Sequence, residues 1–490
     1  MPPKAVAPLI LFAAALGIAG DALLRGGAPG LGVAILAAVF TGAVALVTKR
    51  LGRTSGIDEL WLWLVAPFFG ACLAWRDSPM LRVLDAFALL TGLGLLALRS
   101  RGVSLVTGSL TQYAKGLASS AAHALVGAAP LALVDLPRAD LPWRRFTAPA
   151  RAAAIGVCLA AAPVLVFGRL FASADPVFES MVSALFGWDL GSLIPHAVTA
   201  GVIAWLSAGY LRDQLVPDER PNRNALAAPR LGIAEVGIPL GGTIAVFALF
   251  LAIQARYLFG GAELVLHTTG LTFAEYARRG FFELVAASGL AVPLLLLAGW
   301  AFAPATPKHR AVFRALVTLQ IALVGAVMVS ALQRMLLYVD AYGLSQIRVF
   351  ATAFMLWIAG TLAWMGIATL RGRPERFMYA AAIRGFALVA LLNVVNVDAM
   401  IARTNLARAA AGRPLDIAYL SDLSTDAAPT VAAALGALDP ALACPLWRSL
   451  RHQTERHPSD WRAWNWSRWR AQRAMYGTSA AADDACTPVT

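Results

Sequence analysis

Runs of about twenty apolar residues, the length a helix needs to cross a hydrocarbon core of roughly 30 Å, recur along most of this chain. They fall near residues 6–24, 30–48, 60–75, 80–98, 151–172, 191–211, 234–255, 282–302, 313–335, 349–370 and 378–396. A backbone exposed to lipid must satisfy its own hydrogen bonds, which leaves helices or closed barrels. The alternating pattern of barrel strands is absent. The expectation is an all-α, polytopic membrane protein with about eleven transmembrane helices. Composition agrees: 59% of the 490 residues are hydrophobic, whereas soluble domains run at roughly 45–50%. The first run, Val6 to Leu24, lacks a small-x-small cleavage site and leads straight into another span. It reads as a retained helix and not a signal peptide.

The formal net charge of +13 is not a nucleic-acid footprint, because the basic residues are scattered through turns and form no single stripe. Alternate turns differ in basic content. One set holds Lys49, Arg50 and Arg53, then Arg99 to Arg145, Arg212 to Arg230, Lys308 with Arg310, and Arg371 to Arg376; the other set holds far fewer. By the positive-inside rule the N-terminus is cytoplasmic and, after an odd number of spans, the C-terminus is outside. Within the basic stretch, residues 103–134 are moderately apolar and read as an interfacial or re-entrant element; if they spanned, the downstream topology would invert. Four units follow. Residues 1–98 form an N-terminal four-helix membrane segment, 99–150 a cytoplasmic or interfacial linker, 151–396 a core membrane domain, and 397–490 a soluble, extracytoplasmic helical domain.

That last unit is marked by a change in composition: it carries ten Arg and nine Asp or Glu. Near its end, DWRAWNWSRWRAQR sets Trp461, Trp464, Trp466 and Trp469 among four arginines. Such a segment suits the bilayer interface, where amphipathic rings and cations are both favourable; packing of the tryptophans into the domain core is the alternative. Cys444 and Cys486 flank it, have no metal-ligand spacing, and form a candidate disulfide in an oxidising compartment. Cys72 and Cys158 lie in expected spans and read as inert apolar thiols.

Charges outside the basic turns gather at one membrane boundary in this topology. The candidate outer-face cluster comprises Arg76, Asp77, Asp175, Arg256, Tyr257, Glu275, Tyr276, Arg278, Arg279, Glu283, Tyr342, Arg348, Asn396 and Asp398. On a helix Glu275, Arg279 and Glu283 stack at i, i+4 and i+8, so the arginine pairs with both acids. One reading is simple solvation of a helix end, worth roughly 0–1 kcal/mol per exposed pair. The other is an anion site, lined by Arg256, Arg278 and Arg348, because the guanidinium fork matches phosphate. No phosphate-binding loop, metalloprotease helix or nucleophile elbow occurs, no metal site or cofactor is expected, and GLGLLA at Gly92 lies inside a span without a preceding strand.

Five motifs in one order carry a resemblance: SADPVF at Ser173, QARYLFGG at Gln254, LTFAEYARRGFFEL at Leu271, YVDAYGLSQIR at Tyr338, and NVDAMIARTNLAR followed by DIAYLSDLSTDAAP. Together they resemble bacterial polytopic membrane proteins grouped as a domain of unknown function, of the four-one-seven-three and four-one-five-three type, from about Arg76 to the tail. The resemblance implies a multi-pass protein of the bacterial inner membrane and cell envelope, and carries no catalytic residue.

Three function classes fit these observations. The first is a non-enzymatic sensor, scaffold or assembly protein, which the tail and the lack of catalytic motifs favour. Its partners would be membrane lipids and an envelope lipid, glycan or protein. The second is a transferase or hydrolase acting on a lipid-linked or phosphate-bearing substrate, with Asp175, Glu275 or Asp398 as general base. The third is a secondary transporter, which calls for polar groups or broken helices at mid-bilayer; Asn393 and Gln320 are the few such residues.

Overall fold

The computed structural model describes residues 3–50, 60–131, 190–215, 230–259, 281–371, 376–455 and 460–486. Among these the chain is helical throughout, and its one β contact is an isolated bridge between Leu231 and Phe302. The apolar runs become α1 (Pro3–Leu24), α2 (Leu31–Arg50), α3 (Leu62–Trp75), α4 (Pro79–Ser100), α6 (Leu190–Leu215), α7 (Ile233–Phe259), α8 (Phe281–Ala301), α9 (Pro307–Tyr342), α10 (Gln346–Leu370) and α11 (Phe377–Val395). Seven of them, α2, α4 and α7 to α11, are long and apolar enough to cross a bilayer. The apolar parts of α1, Pro8–Leu24, and of α3 are shorter, and the expected span at 151–172 lies outside the described residues.

The stretch in doubt between α4 and α6 forms α5 (Leu110–Val126), opened by a capping box in which Ser109 and Gln112 exchange side-chain and backbone bonds. It packs on α4 and α6, burying Tyr113, Gly116 and Ser120 and leaving Leu125 and Val126 exposed.

Helix contacts in an apolar phase gain little from hiding apolar surface, so close backbone approach matters. Gly17 of α1 shows this. A Cβ there would lie 2.4 Å from the carbonyl oxygen of Ala200 on α6. The second membrane cluster, built by α7 to α10 with the start of α11, centres on Val324, Val327, Ile358 and Leu362.

Beyond α11 the chain turns at Asn396, whose left-handed backbone (φ 55°) ends one helix while its side chain caps the next by accepting from the Ala399 N–H. There follow α12 (Val397–Ala410), α13 (Ile417–Ser421), α14 (Ala428–Ala434), α15 (Pro440–Glu455) and α16 (Trp466–Cys486). Their hydrophobic cluster includes Val397, Ile401, Leu420, Ala428, Leu446, Trp447 and Ala471, but also Leu81 of α4, Ala353 of α10 and Leu392 of α11. The tail therefore shares its core with the ends of the membrane helices.

The Trp-rich segment seats against those ends. Leu31 N–H donates to the Trp464 carbonyl at 2.9 Å, and a Cβ on Gly30 would come within 2.6 Å of the same oxygen. Ala463, Asn465, Ser467 and Arg468 are buried, while Trp461, Trp464 and Trp466 are exposed. The rings of Trp466 and Trp469 stack at 4.9 Å, and Arg473 lies over Trp469. Ala463, Asn465, Ser467 and Arg468, and not the tryptophans, fill the contact.

Cys444 and Cys486 are joined by a disulfide across 42 residues, tying α15 to the end of α16. Closing a loop of that length restricts the unfolded chain and contributes about 2–4 kcal/mol. Cys444→Ser is expected to expose α16 to limited proteolysis at lower temperature than wild type, and reductant should reproduce the effect in wild type only.

Candidate functional site

Between α3 and α4 runs the short stretch Trp75, Arg76, Asp77, Ser78, and here the tail and the bundle meet through buried charge. The start of α4 has N–H groups without intrahelical partners. Ser78 makes no side-chain cap, and Pro79 follows it. Asp426, just before α14, supplies what is missing: its Oδ2 accepts from the Asp77 and Ser78 N–H groups, each at 2.8 Å. Its Oδ1 accepts from the Ser467 hydroxyl and faces Arg76 Nη1 at 3.7 Å. A carboxylate is favoured at this position because a helix N-terminus carries partial positive charge.

Arg76 reaches the opposite kind of helix end. Its Nε donates at 2.7 Å to the Asn393 carbonyl and its Nη2 to the Val394 carbonyl, in the last turn of α11, and its guanidinium lies over the Trp75 ring. Asp77 sits between two arginines, Arg82 of α4 and Arg468 of α16, with Arg468 Nε donating at 2.8 Å, and also accepts from the Thr425 hydroxyl at 2.8 Å. Arg468 goes on to the carbonyls of Ala463 and Pro29, which brings in the α1–α2 turn. Asn465 binds the Leu73 and Arg76 carbonyls with its amide and caps α16 by accepting from the Ser467 and Arg468 N–H groups.

A second carboxylate lies alongside. Asp398 accepts from Gln346 Nε2 at 2.7 Å on one oxygen, and from the Ser424 N–H and hydroxyl, the latter at 2.6 Å, on the other. The Ser424 hydroxyl also stands 3.2 Å from Asp426 Oδ2 and so bridges the two acids. Deeper along α4, Asp85 accepts from Asn393 Nδ2 at 2.7 Å.

Loss of water dominates the electrostatics of this cluster. Burial raises the Asp398 carboxyl above its ordinary pKa, against the hydrogen bonds from Ser424 and Gln346, and does the same to Asp426 against those from Ser467, Ser78 and Ser424 and the charge of Arg76. Burial likewise lowers the pKa values of Arg76 and Arg468. Asp398 is 0% exposed and Asp426 3%. Every oxygen of these two acids is met by donors from the protein, so each carboxyl ties separate elements together. No group of three or more potential metal ligands occurs among the described residues.

The structure brings Arg76, Asp77, Asn396 and Asp398 together. Tyr342 and Arg348 line a neighbouring polar cavity joined to the cluster through Gln346, whose N–H donates to Tyr419. Glu283 stands exposed in the first turn of α8, apart from both. Arg256 and Tyr257 fall in the last turn of α7. Asp175, Glu275, Tyr276, Arg278 and Arg279 lie outside the described residues. Asp426, Ser424, Asn465, Ser467 and Arg468 were not among the expected site residues. The available signal was the run WNWSRW, where small polar residues between tryptophans mark a buried polar seam.

A family model described as "Domain of unknown function (DUF4153)" matches residues 60–434. No curated protein matches. No solved structure matches either. The match takes in α3 to α14, with Arg76, Asp77, Asp398 and Asp426, and stops before Asn465, Ser467 and Arg468.

A raised folded-state pKa gives stability that is fully present below the ordinary carboxyl value of 3.8 and is lost as pH rises through the raised value. Wild type is therefore expected to gain thermal stability relative to Asp398→Asn as pH falls from neutrality toward 3.8. Parallel melting curves across that range would show that Asp398 does not take up a proton with folding.

Proposed function

We propose, for a chain that belongs to the DUF4153 family, the role of a non-enzymatic scaffold or assembly protein. In this reading the membrane helices carry a helical cap that is fixed on one face and presented to an envelope partner. The observation that supports it is the way Asp426 and Arg76 are used. Each is spent on the ends of helices, with donors and acceptors from α4, α11 and α16. A general base has to reach a proton on the substrate, whereas these acids are enclosed. The same reasoning tells against the alternatives of a transferase or hydrolase working through Asp398, and of a transporter working through Asn393, which is buried and tied to Asp85.

The reading extends to location. The protein belongs to the bacterial inner membrane, spans it about eleven times with the N-terminus in the cytoplasm, and carries the cap outside. The charge asymmetry of the turns supports this orientation. The disulfide fits it too, since such bonds persist in oxidising compartments.

Two experiments test the proposal. Asp426→Asn places an amide N–H₂ among donors, and breaking a buried charged site of this kind costs about 3–5 kcal/mol. Asp398→Asn keeps one acceptor for Gln346 but turns its N–H₂ towards the Ser424 N–H, and with no salt bridge broken it loses less, about 1–3 kcal/mol. The expected outcome is a large fall in melting temperature and abundance for the first and a smaller one for the second. A stable, abundant Asp426→Asn protein whose deletion phenotype is not complemented would instead make Asp426 a reacting group. For sidedness, an impermeant thiol reagent applied to intact cells is expected to label Cys444 and Cys486 only after reduction.

A further inference from the structure

The turn between α9 and α10, part of YVDAYGLSQIR, has no role in the Asp426 and Asp398 cluster beyond Gln346, yet its backbone is held at several points. Gly343 has φ 79°, and a Cβ there would sit 2.7 Å from Asn405 Oδ1, so only glycine suits the position. Asn405 then fixes Leu344 from both sides, accepting its N–H and donating to its carbonyl, each at 2.8 Å. Around this turn lies a polar cavity of about 140 Å³. Its charged and polar lining includes Arg348, Arg408, Ser345, Asn405, Asp416 and Tyr419.

Both arginines are held in place before any ligand arrives. Arg348 donates Nη1 to the Gly343 carbonyl and stacks over Tyr338 at 4.1 Å. Arg408 donates Nη2 to the Ala341 carbonyl at 3.3 Å. A guanidinium has five N–H donors, so each of these anchors leaves donors over. Ser345 precedes the first turn of α10 and makes no side-chain cap there, and the partial positive charge of that helix end adds to the two cations. Asp416, which caps α13 by accepting from the Tyr419 N–H, sets one negative charge against them. The balance is one net positive charge.

We propose that this cavity binds a phosphate group, in the form of the singly charged phosphodiester of a lipid headgroup. Planar, pre-oriented guanidinium forks match phosphate oxygens, and a tetrahedral oxyanion fits a space several times the ~30 Å³ share of one water. The cavity lies where α9 ends and α10 begins, at one end of two helices long and apolar enough to span.

The test uses the full chain in detergent with three probes: a short-chain phosphatidylglycerol, a diacylglycerol of equal chain length, and inorganic phosphate. Thermal stabilisation is the readout. Saturable stabilisation by the phospholipid and none by the diacylglycerol is expected, with the midpoint raised about tenfold in Arg408→Gln and Arg348→Gln. Inorganic phosphate acting with an equal midpoint would keep the site and make free phosphate its ligand. Because Arg408 also holds a carbonyl of α9, Arg408→Lys decides the case if Arg408→Gln melts early without ligand: it keeps the charge, loses the fork, and should bind more weakly than wild type. No saturable response to either phosphate probe, equal responses to phospholipid and diacylglycerol, or an unchanged midpoint in Arg408→Lys and both glutamine variants would overturn the proposal.

Discussion

The Asp426 carboxylate and the N–H groups of Asp77 and Ser78 at the start of α4 form the contact on which the rest of the arrangement depends. A charge taken out of water is costly unless its oxygens are met by donors and an opposite charge. Here the donors come from α4, from Ser424 beside it and from Ser467 of α16, and Arg76 stands opposite. Lifting the tail would part Asp426 from the Asp77 and Ser78 N–H groups and Arg468 from the Asp77 carboxylate. The contact thus fixes where the cap sits as well as whether it stays.

The same network explains how the flanks relate to the family-matched part of the chain. The match covers residues 60–434, yet α15 and α16 are bound to it by specific polar contacts, Ser449 and Gln453 reaching the Ser421 carbonyl and Ser467 that of Trp75, and the segment at α16 holds α1 and α2 in turn. Arg468 reaches the Pro29 carbonyl, Arg462 the Ala22 carbonyl, and Asn465 the carbonyls closing α3. Residues 460–468 therefore act as a strap across the ends of α1 to α4. Because Trp461, Trp464 and Trp466 face away from that contact, the strap also presents an aromatic edge beside the span ends, where such rings are favoured at a membrane interface.

Two kinds of cohesion meet along this seam. Within the membrane helices the close approaches at Gly17 and Gly70 let backbones pack where hiding apolar surface brings little gain. In the cap, burial of Ile401, Leu446 and Trp447 draws on the ordinary hydrophobic effect. Polar side chains at the boundary satisfy the helix ends that neither kind of packing can serve. The disulfide adds a covalent tie at the far end of the cap.

Much of this architecture was readable from residue order alone. Span length and apolarity are local properties, set by the thickness of the bilayer and the backbone's need for internal hydrogen bonds, so the runs at 30–48, 80–98, 234–255 and 349–370 reappear as α2, α4, α7 and α10. The charge changes at Arg76, Asp77, Asn396 and Asp398 were equally visible, since charged residues stand out in a chain with 14% of them. What each charge meets was not visible. Asp77 and Arg468 are separated by 391 positions and Asp77 and Asp426 by 349, and no local pattern encodes a contact of that range. Whether a tryptophan is buried depends on which side of the strap faces the bundle, and whether an arginine caps a helix or meets a ligand depends on which helix end folds against it. Those are properties of packing in three dimensions, and only the tertiary structure decided them.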